Sequence, residues 1–224
     1  MKLYRTLSEA VGAIRRKPKE VIAIISFNGQ AYFVFRSNPS PEVATIIQAQ
    51  MKILIANELL GITRADYGND SKEQLYEFML QAKIPELFPE SRHAEENLIL
   101  GFSGILEQFK TEFPEQKIRK IDIFLSHSPC SEQGVKRCSG SLYLNDFFLP
   151  SGCDQKLIAF FKKGNYVDLD RSLFLENSNV QVRYHRQFDS AVENHVENFI
   201  IQAEPELKDV FDHHWKNASP TLKC

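Results

Sequence analysis

The sequence predicts an α/β fold, and three observations carry that expectation. Two β-branched and aromatic runs, residues 20–27 and 30–36, are joined by Asn28-Gly29, the strongest short-range hairpin signal. Residues 120–126 (Lys-Ile-Asp-Ile-Phe-Leu-Ser) have the composition of a buried strand. Elsewhere apolar residues recur at helical spacing, most clearly at Leu98, Ile99, Phe102, Ile105, Leu106 and Phe109.

The elements follow in order. Ser8 is placed to cap a short helix through Ala13-Ile14-Arg15, which Pro18 ends. After the hairpin, Ser40-Pro41 opens a long helix over residues 41–60, closed by Gly61. Ser71 starts another helical stretch to about residue 82, and Pro85, Pro89 and Ser91 punctuate a loop. The His93 helix comes next, then the buried strand, which runs into Pro129-Cys130. Residues 153–163 read as a helix, with Leu157, Ile158, Phe160 and Phe161 apolar. Residues 180–188 alternate like a strand, Ser190 caps a helix to about residue 203, and a last helical segment reaches Trp215. No repeat, low-complexity tract or clean linker interrupts this order, so one domain over residues 1–224 is expected.

The composition is that of an ordinary globular chain, 43% hydrophobic and 25% charged, and its 17 Phe forecast an aromatic core. A net charge of -2 weighs against a dedicated nucleic-acid binder, which is usually basic, although local patches can serve. Arg15-Arg16-Lys17-Pro18-Lys19 is one such patch, read more simply as basic residues near a helix C-terminus. No apolar run is long enough to span a bilayer, and the N-terminus lacks the apolar core of a signal peptide. A cytoplasmic or nuclear protein is expected, in which the four cysteines are metal ligands or free thiols rather than disulfides.

The chemistry-bearing pattern is His93-Ala94-Glu95, then Ser128-Pro129-Cys130, then a further cysteine. Zinc catalysis needs three protein ligands, an open position for water and a carboxylate that is not a ligand. His93, Cys130 and a second cysteine supply the ligands, and Glu95 the proton-carrying carboxylate. The second cysteine is Cys138 or Cys153. Cys153 is favoured because Ser151-Gly152-Cys153-Asp154 looks like a helix start, with Ser151 as N-cap and Asp154 at N3, and free helix N–H groups stabilise a thiolate. The residues after Cys138 suggest instead a turn and a short strand. Residues 131–152 are then an insertion that loops out and returns, at small cost in closure entropy. It is a candidate lid or docking site for a protein partner.

These residues resemble the cytidine deaminase superfamily, and within it the AID/APOBEC-like branch. Leu125-Ser126-His127-Ser128-Pro129-Cys130 looks like that branch's S-W-S-P-C segment, and Cys153-Asp154-Gln155-Lys156-Leu157-Ile158-Ala159-Phe160-Phe161 like its second zinc helix. Asn179-Val180-Gln181-Val182-Arg183-Tyr184 is similar to the strand that follows. The likeness covers residues 91–190. It departs from the branch at His127, which stands where Trp is usual, in the long spacing of the cysteines, and in the helices over 41–84. A spaced second cysteine is similar to riboflavin-pathway deaminases, where Cys130-Ser131-Glu132-Gln133-Gly134 would favour Cys138.

The resemblance implies a three-layer α/β/α sandwich with a mixed central sheet, Zn²⁺ as cofactor, His93, Cys130 and Cys153 as ligands, and Glu95 as proton shuttle. It implies hydrolytic deamination of cytosine in single-stranded DNA or RNA, or in a free nucleotide. Ser128, His127, Tyr184, His185, Arg186 and Asn28 are the candidate substrate contacts, the basic and aromatic group at 183–186 suiting a single strand. A catalytically silent, zinc-stabilised interaction domain is the competing class, and Glu95 argues against it.

Overall fold

The computed structural model describes residues 1–14, 20–37, 92–131, 142–144, 147–162, 166–186, 194–196 and 198–216. The helices expected over 41–60 and 71–82, the loop before His93, and Cys138 and Cys224 lie outside the described residues. Backbone contacts group Met1–Ser37 with His93–Cys224 as one compact unit, distinct from Asn38–Arg92.

The first helix, α1 (Leu7–Gly12), is capped by Thr6 rather than Ser8. Thr6 keeps an extended backbone and its hydroxyl accepts the Glu9 N–H at 3.1 Å, whereas Ser8 is already inside the helix. The expected hairpin forms as β1 (Ile22–Phe27) and β2 (Ala31–Arg36). Asn28 and Gly29 both take positive φ, 55° and 69°, and the Gln30 N–H closes the turn on the Phe27 carbonyl at 3.1 Å.

The apolar stripe after His93 is carried by α2 (Ala94–Leu100) and α3 (Phe102–Glu112), and all six periodic residues are buried. Gly101 parts the two helices where β2 comes close: a Cβ built there would lie 2.6 Å from Phe35 Cε1. The strand β3 (Ile118–His127) is buried almost throughout. Inside the segment between the two cysteines, β4 (Leu142–Leu144) and β5 (Phe147–Leu149) pair antiparallel, which includes the short strand expected after Cys138. Then come α4 (Cys153–Leu157), prolonged by a wider π turn over Ile158–Lys162, and β6 (Phe174–Arg186).

Residues 194–203 correct the sequence reading. In place of the helix expected from Ser190 they form β7 (Asn194–Val196) and β8 (Phe199–Ala203). Val196, Ile200 and Ile201 are β-branched and favour extended chain. Phe199 and Ile201 alternate inward, and β8 covers the edge that β6 would otherwise leave unpaired, with Val182 opposite Ile201. The last helix, α5 (Leu207–Lys216), falls where the sequence placed it.

The sheet runs β2-β1-β3-β6-β8-β7. It is mixed: β3, β6 and β8 are parallel neighbours, while β1 is antiparallel to both β2 and β3, and β7 to β8. Helices cover both faces, so β1 throughout and β3 from Ile121 to Ser126 are buried at successive residues rather than at alternate ones. On one face Ile25, Phe27, Ile123, Leu125 and Val182 pack with residues of α2, α3 and α4. On the other, Ile22, Ile24 and Phe124 pack with residues of α1 and α5. Phe102 centres the larger core, edge-on to Phe27, Phe160 and Phe161 at 5.8, 5.3 and 5.5 Å between ring centroids. It thereby joins the sheet, α3 and the turn after α4 into one packed body.

Candidate metal centre

Parallel strands direct their carboxyl ends to one side of a sheet, the usual place for a site in an open α/β fold. Here β3 leaves the sheet there through Ser128-Pro129-Cys130, and the starts of α2 and α4 meet it. His93 is the N-cap of α2, with extended backbone. Cys153 is the first residue of α4. The N-cap of α4 is Gly152, at φ 87°, rather than Ser151, so Asp154 stands second in the helix. A side-chain cap is replaced by a glycine that alone turns the chain comfortably at that φ.

These three elements place His93 Nδ1 at 3.6 Å from Cys130 Sγ and 3.4 Å from Cys153 Sγ. All three donor atoms lie within 4.8 Å of one another, the one such group among the described residues. A tetrahedral zinc with ordinary Zn–S and Zn–N lengths sets sulfur and nitrogen about 3.6 Å apart. The spacing therefore fits a metal ion of that size. Neither cysteine is in a disulfide, and both are buried. The Cys153 N–H donates to Cys130 Sγ at 3.4 Å, and the Asp154 N–H donates to the Cys130 carbonyl at 3.2 Å. The start of α4 thus serves Cys130 as well as carrying Cys153.

The electrostatics suit a cation. Burial works to lower the His93 pKa, but its hydrogen bond to Cys130, the charge of that thiolate, and Glu95 and Glu96 carry it up to about 9. Burial pushes the Cys153 thiol well above its ordinary value, with Cys130 and the two carboxylates adding to the effect. Glu95, second in α2, is buried, and burial raises its carboxyl to about 7 against the opposing pull of His93. Its Oε2 has no hydrogen-bond partner among the described residues. An ionisable oxygen kept buried without a partner beside three metal donors is costly to folding and is characteristic of functional sites.

The other sequence candidates divide. Ser128 and His127 sit at this end of β3: the buried Ser128 donates its N–H to the Arg186 carbonyl at 2.6 Å, and His127 Nδ1 lies 3.0 Å from Ser126 Oγ. Arg186, exposed at the end of β6, points its Nε at His185 Nε2, 3.2 Å away. His185 stacks on Phe211 of α5, the face away from α2 and α4. Tyr184 is a core residue, 2% exposed.

Asn28 lies at the other end of β3. Its side chain accepts from the N–H groups of Arg119 and Lys120 at 2.8 and 3.1 Å and donates to the Lys117 carbonyl at 2.8 Å. It therefore ties the hairpin to the start of β3, about 23 Å along the strand from His127. Two residues the sequence reading passed over belong here instead. Glu96 accepts the His93 N–H at 2.8 Å, and Lys156 of α4 pairs with it at 3.4 Å, both side chains being buried. Glu96 was legible, since an acid three residues after an N-cap is a capping-box signature. Lys156 was not, because a helical lysine reads as solvated.

The chain matches none of the protein-family models, curated proteins or solved structures with which it was compared.

Proposed function

We propose that this protein is a zinc-dependent hydrolytic deaminase converting cytosine to uracil in single-stranded DNA or RNA, with His93, Cys130 and Cys153 as ligands. The observation that carries the reading is Glu95: a buried carboxyl raised to about 7, two residues from His93, with one oxygen that has no hydrogen-bond partner among the described residues. A purely structural zinc site is closed by a fourth protein ligand and has no use for such a group. Bound by one imidazole and two thiolates, zinc would supply Lewis acidity and a water acidified towards about pH 7.

Glu95 does the proton work. A carboxyl with a pKa near 7 both holds and releases a proton at neutral pH, as a general acid–base group must when it protonates a ring nitrogen and then a leaving ammonia. The half-buried His127 and exposed Arg186 at the same end of the sheet would meet the base and its phosphate. A free nucleotide is the second reading, favoured by the net charge of -2.

The test is zinc content by elemental analysis, with ammonia release from cytidine, dCMP and a cytosine-bearing single strand, on wild type and Glu95→Gln. One zinc per chain in both and turnover in the wild type alone supports the reading. No zinc in the wild type, or unchanged turnover in Glu95→Gln, refutes it.

A further inference from the structure

His93 and Cys153 come from two helices remote in sequence, and any metal they share depends on how those helix starts are held together. The hydrogen bond at Cys130 accounts for one side of that arrangement. On the other side lies the Glu96–Lys156 pair. One Glu96 oxygen, Oε2, receives the His93 N–H at 2.8 Å; the other, Oε1, faces Lys156 Nζ at 3.4 Å. Lys156 stands three residues after Cys153, and its own N–H bonds the Gly152 carbonyl at 3.0 Å. Glu96 is 2% exposed and Lys156 is fully buried. An unbroken path thus runs from the His93 backbone through Glu96 and Lys156 to the first turn of α4.

Two charges withdrawn from water in this way are weak evidence for stability, since an apolar pair of the same volume often serves the fold equally well. Glu96 lies outside the group of three donors, and a lysine ammonium offers hydrogen-bond donors and no acceptor, so neither is counted as a ligand. What the pair does is fix a distance: Glu96 has both oxygens engaged, one on each ligand-bearing helix. We propose that Glu96 and Lys156 are positioning residues, a buried strut that sets the span between His93 and Cys153 and so governs how firmly the site retains its metal. This inference rests on the metal reading above, though not on deamination. Groups that orient metal ligands from behind are commonly worth 10- to 100-fold in metal affinity.

The experiment measures the rate of zinc release to an excess of a coloured chelator, alongside urea unfolding of the zinc-free chain. The variants are the neutral pair Glu96→Gln with Lys156→Met, and Glu96→Asp, which keeps the charge but shortens the strut by one methylene. The expected result is release about tenfold or more faster in both, with the zinc-free unfolding midpoint of Glu96→Asp close to wild type. Release at the wild-type rate from folded variants would overturn the strut while leaving the metal reading intact. If the double variant does not fold, Glu96→Asp decides alone by the same criterion. A wild-type chain that holds no zinc would overturn both readings together.

Discussion

Replacing Gly101 by alanine tests the packing that presents the site. Gly101 lies between α2 and α3 at φ -86° and ψ 0°, a backbone open to any residue, so the constraint is one of space. The new Cβ would lie 2.6 Å from Phe35 Cε1, 3.2 Å from Phe35 Cζ and 3.1 Å from the Asn97 carbonyl oxygen. Carbon atoms in contact settle at about 3.5–4.0 Å, so the ring must yield by about 1 Å. Phe35 is 5% exposed within the larger core and has little room to do so. Overpacking of this kind costs about 1–3 kcal/mol, against a gain of about 0.4–1 kcal/mol from the stiffer unfolded chain. The net expectation is a loss of about 1–2 kcal/mol, or roughly 2–8 °C in Tm for a chain of this size.

Gly104→Ala is the internal control. A Cβ at Gly104, inside α3, meets nothing within 4 Å, so the helix preference of alanine should stabilise the chain by about 1 kcal/mol. Thermal unfolding followed by circular dichroism compares the two. Gly101→Ala as stable as Gly104→Ala would refute the close approach of β2 to the helix that carries His93, Glu95 and Glu96.

Other consequences are equally direct. Asn28→Ala removes three backbone-directed hydrogen bonds and puts a Cβ-bearing residue with no polar handle at φ 55°; it should cost about 1–3 kcal/mol by urea unfolding while leaving zinc content unchanged. Phe102→Ala empties the centre of the larger core and should cost about 3–5 kcal/mol in the same assay. Protons compete with metal for His93, whose pKa is about 9, and for the raised thiol of Cys153, so zinc retention should climb as pH rises from acid towards alkaline; retention independent of pH would contradict this donor set. Cys153→Ser should lose zinc that Cys224→Ser keeps, read by elemental analysis, and equal loss in both would reassign the third donor.

The hairpin, the apolar stripe from Leu98 to Phe109, the buried strand and the last helix were legible because each is a local pattern: turn chemistry between β-branched runs, or a 3.6-residue period. The segments 194–196 and 199–203 were misread as helix for a complementary reason. A short apolar run does not declare its own period, and Phe199-Ile200-Ile201 takes strand form because the edge of β6 is there to pair with it. Asn28 was legible as a turn residue, but not the direction in which its side chain is used.

The sequence by itself determined which residues could bind a metal and which carboxylate stands beside the histidine, since donor identity is a property of residue type and His-x-Glu at a helix start is local. It also favoured Cys153 over Cys138, through the helical pattern that follows. Only the tertiary structure decided that His93, Cys130 and Cys153, spread over sixty residues of sequence, come within 4.8 Å. Only it revealed that Glu96 and Lys156 are buried against each other, and that Tyr184 and Asn28 belong to the core and the far end of the sheet. Burial and long-range pairing are set by the packing of helices on a sheet, and no single segment encodes its share of that packing.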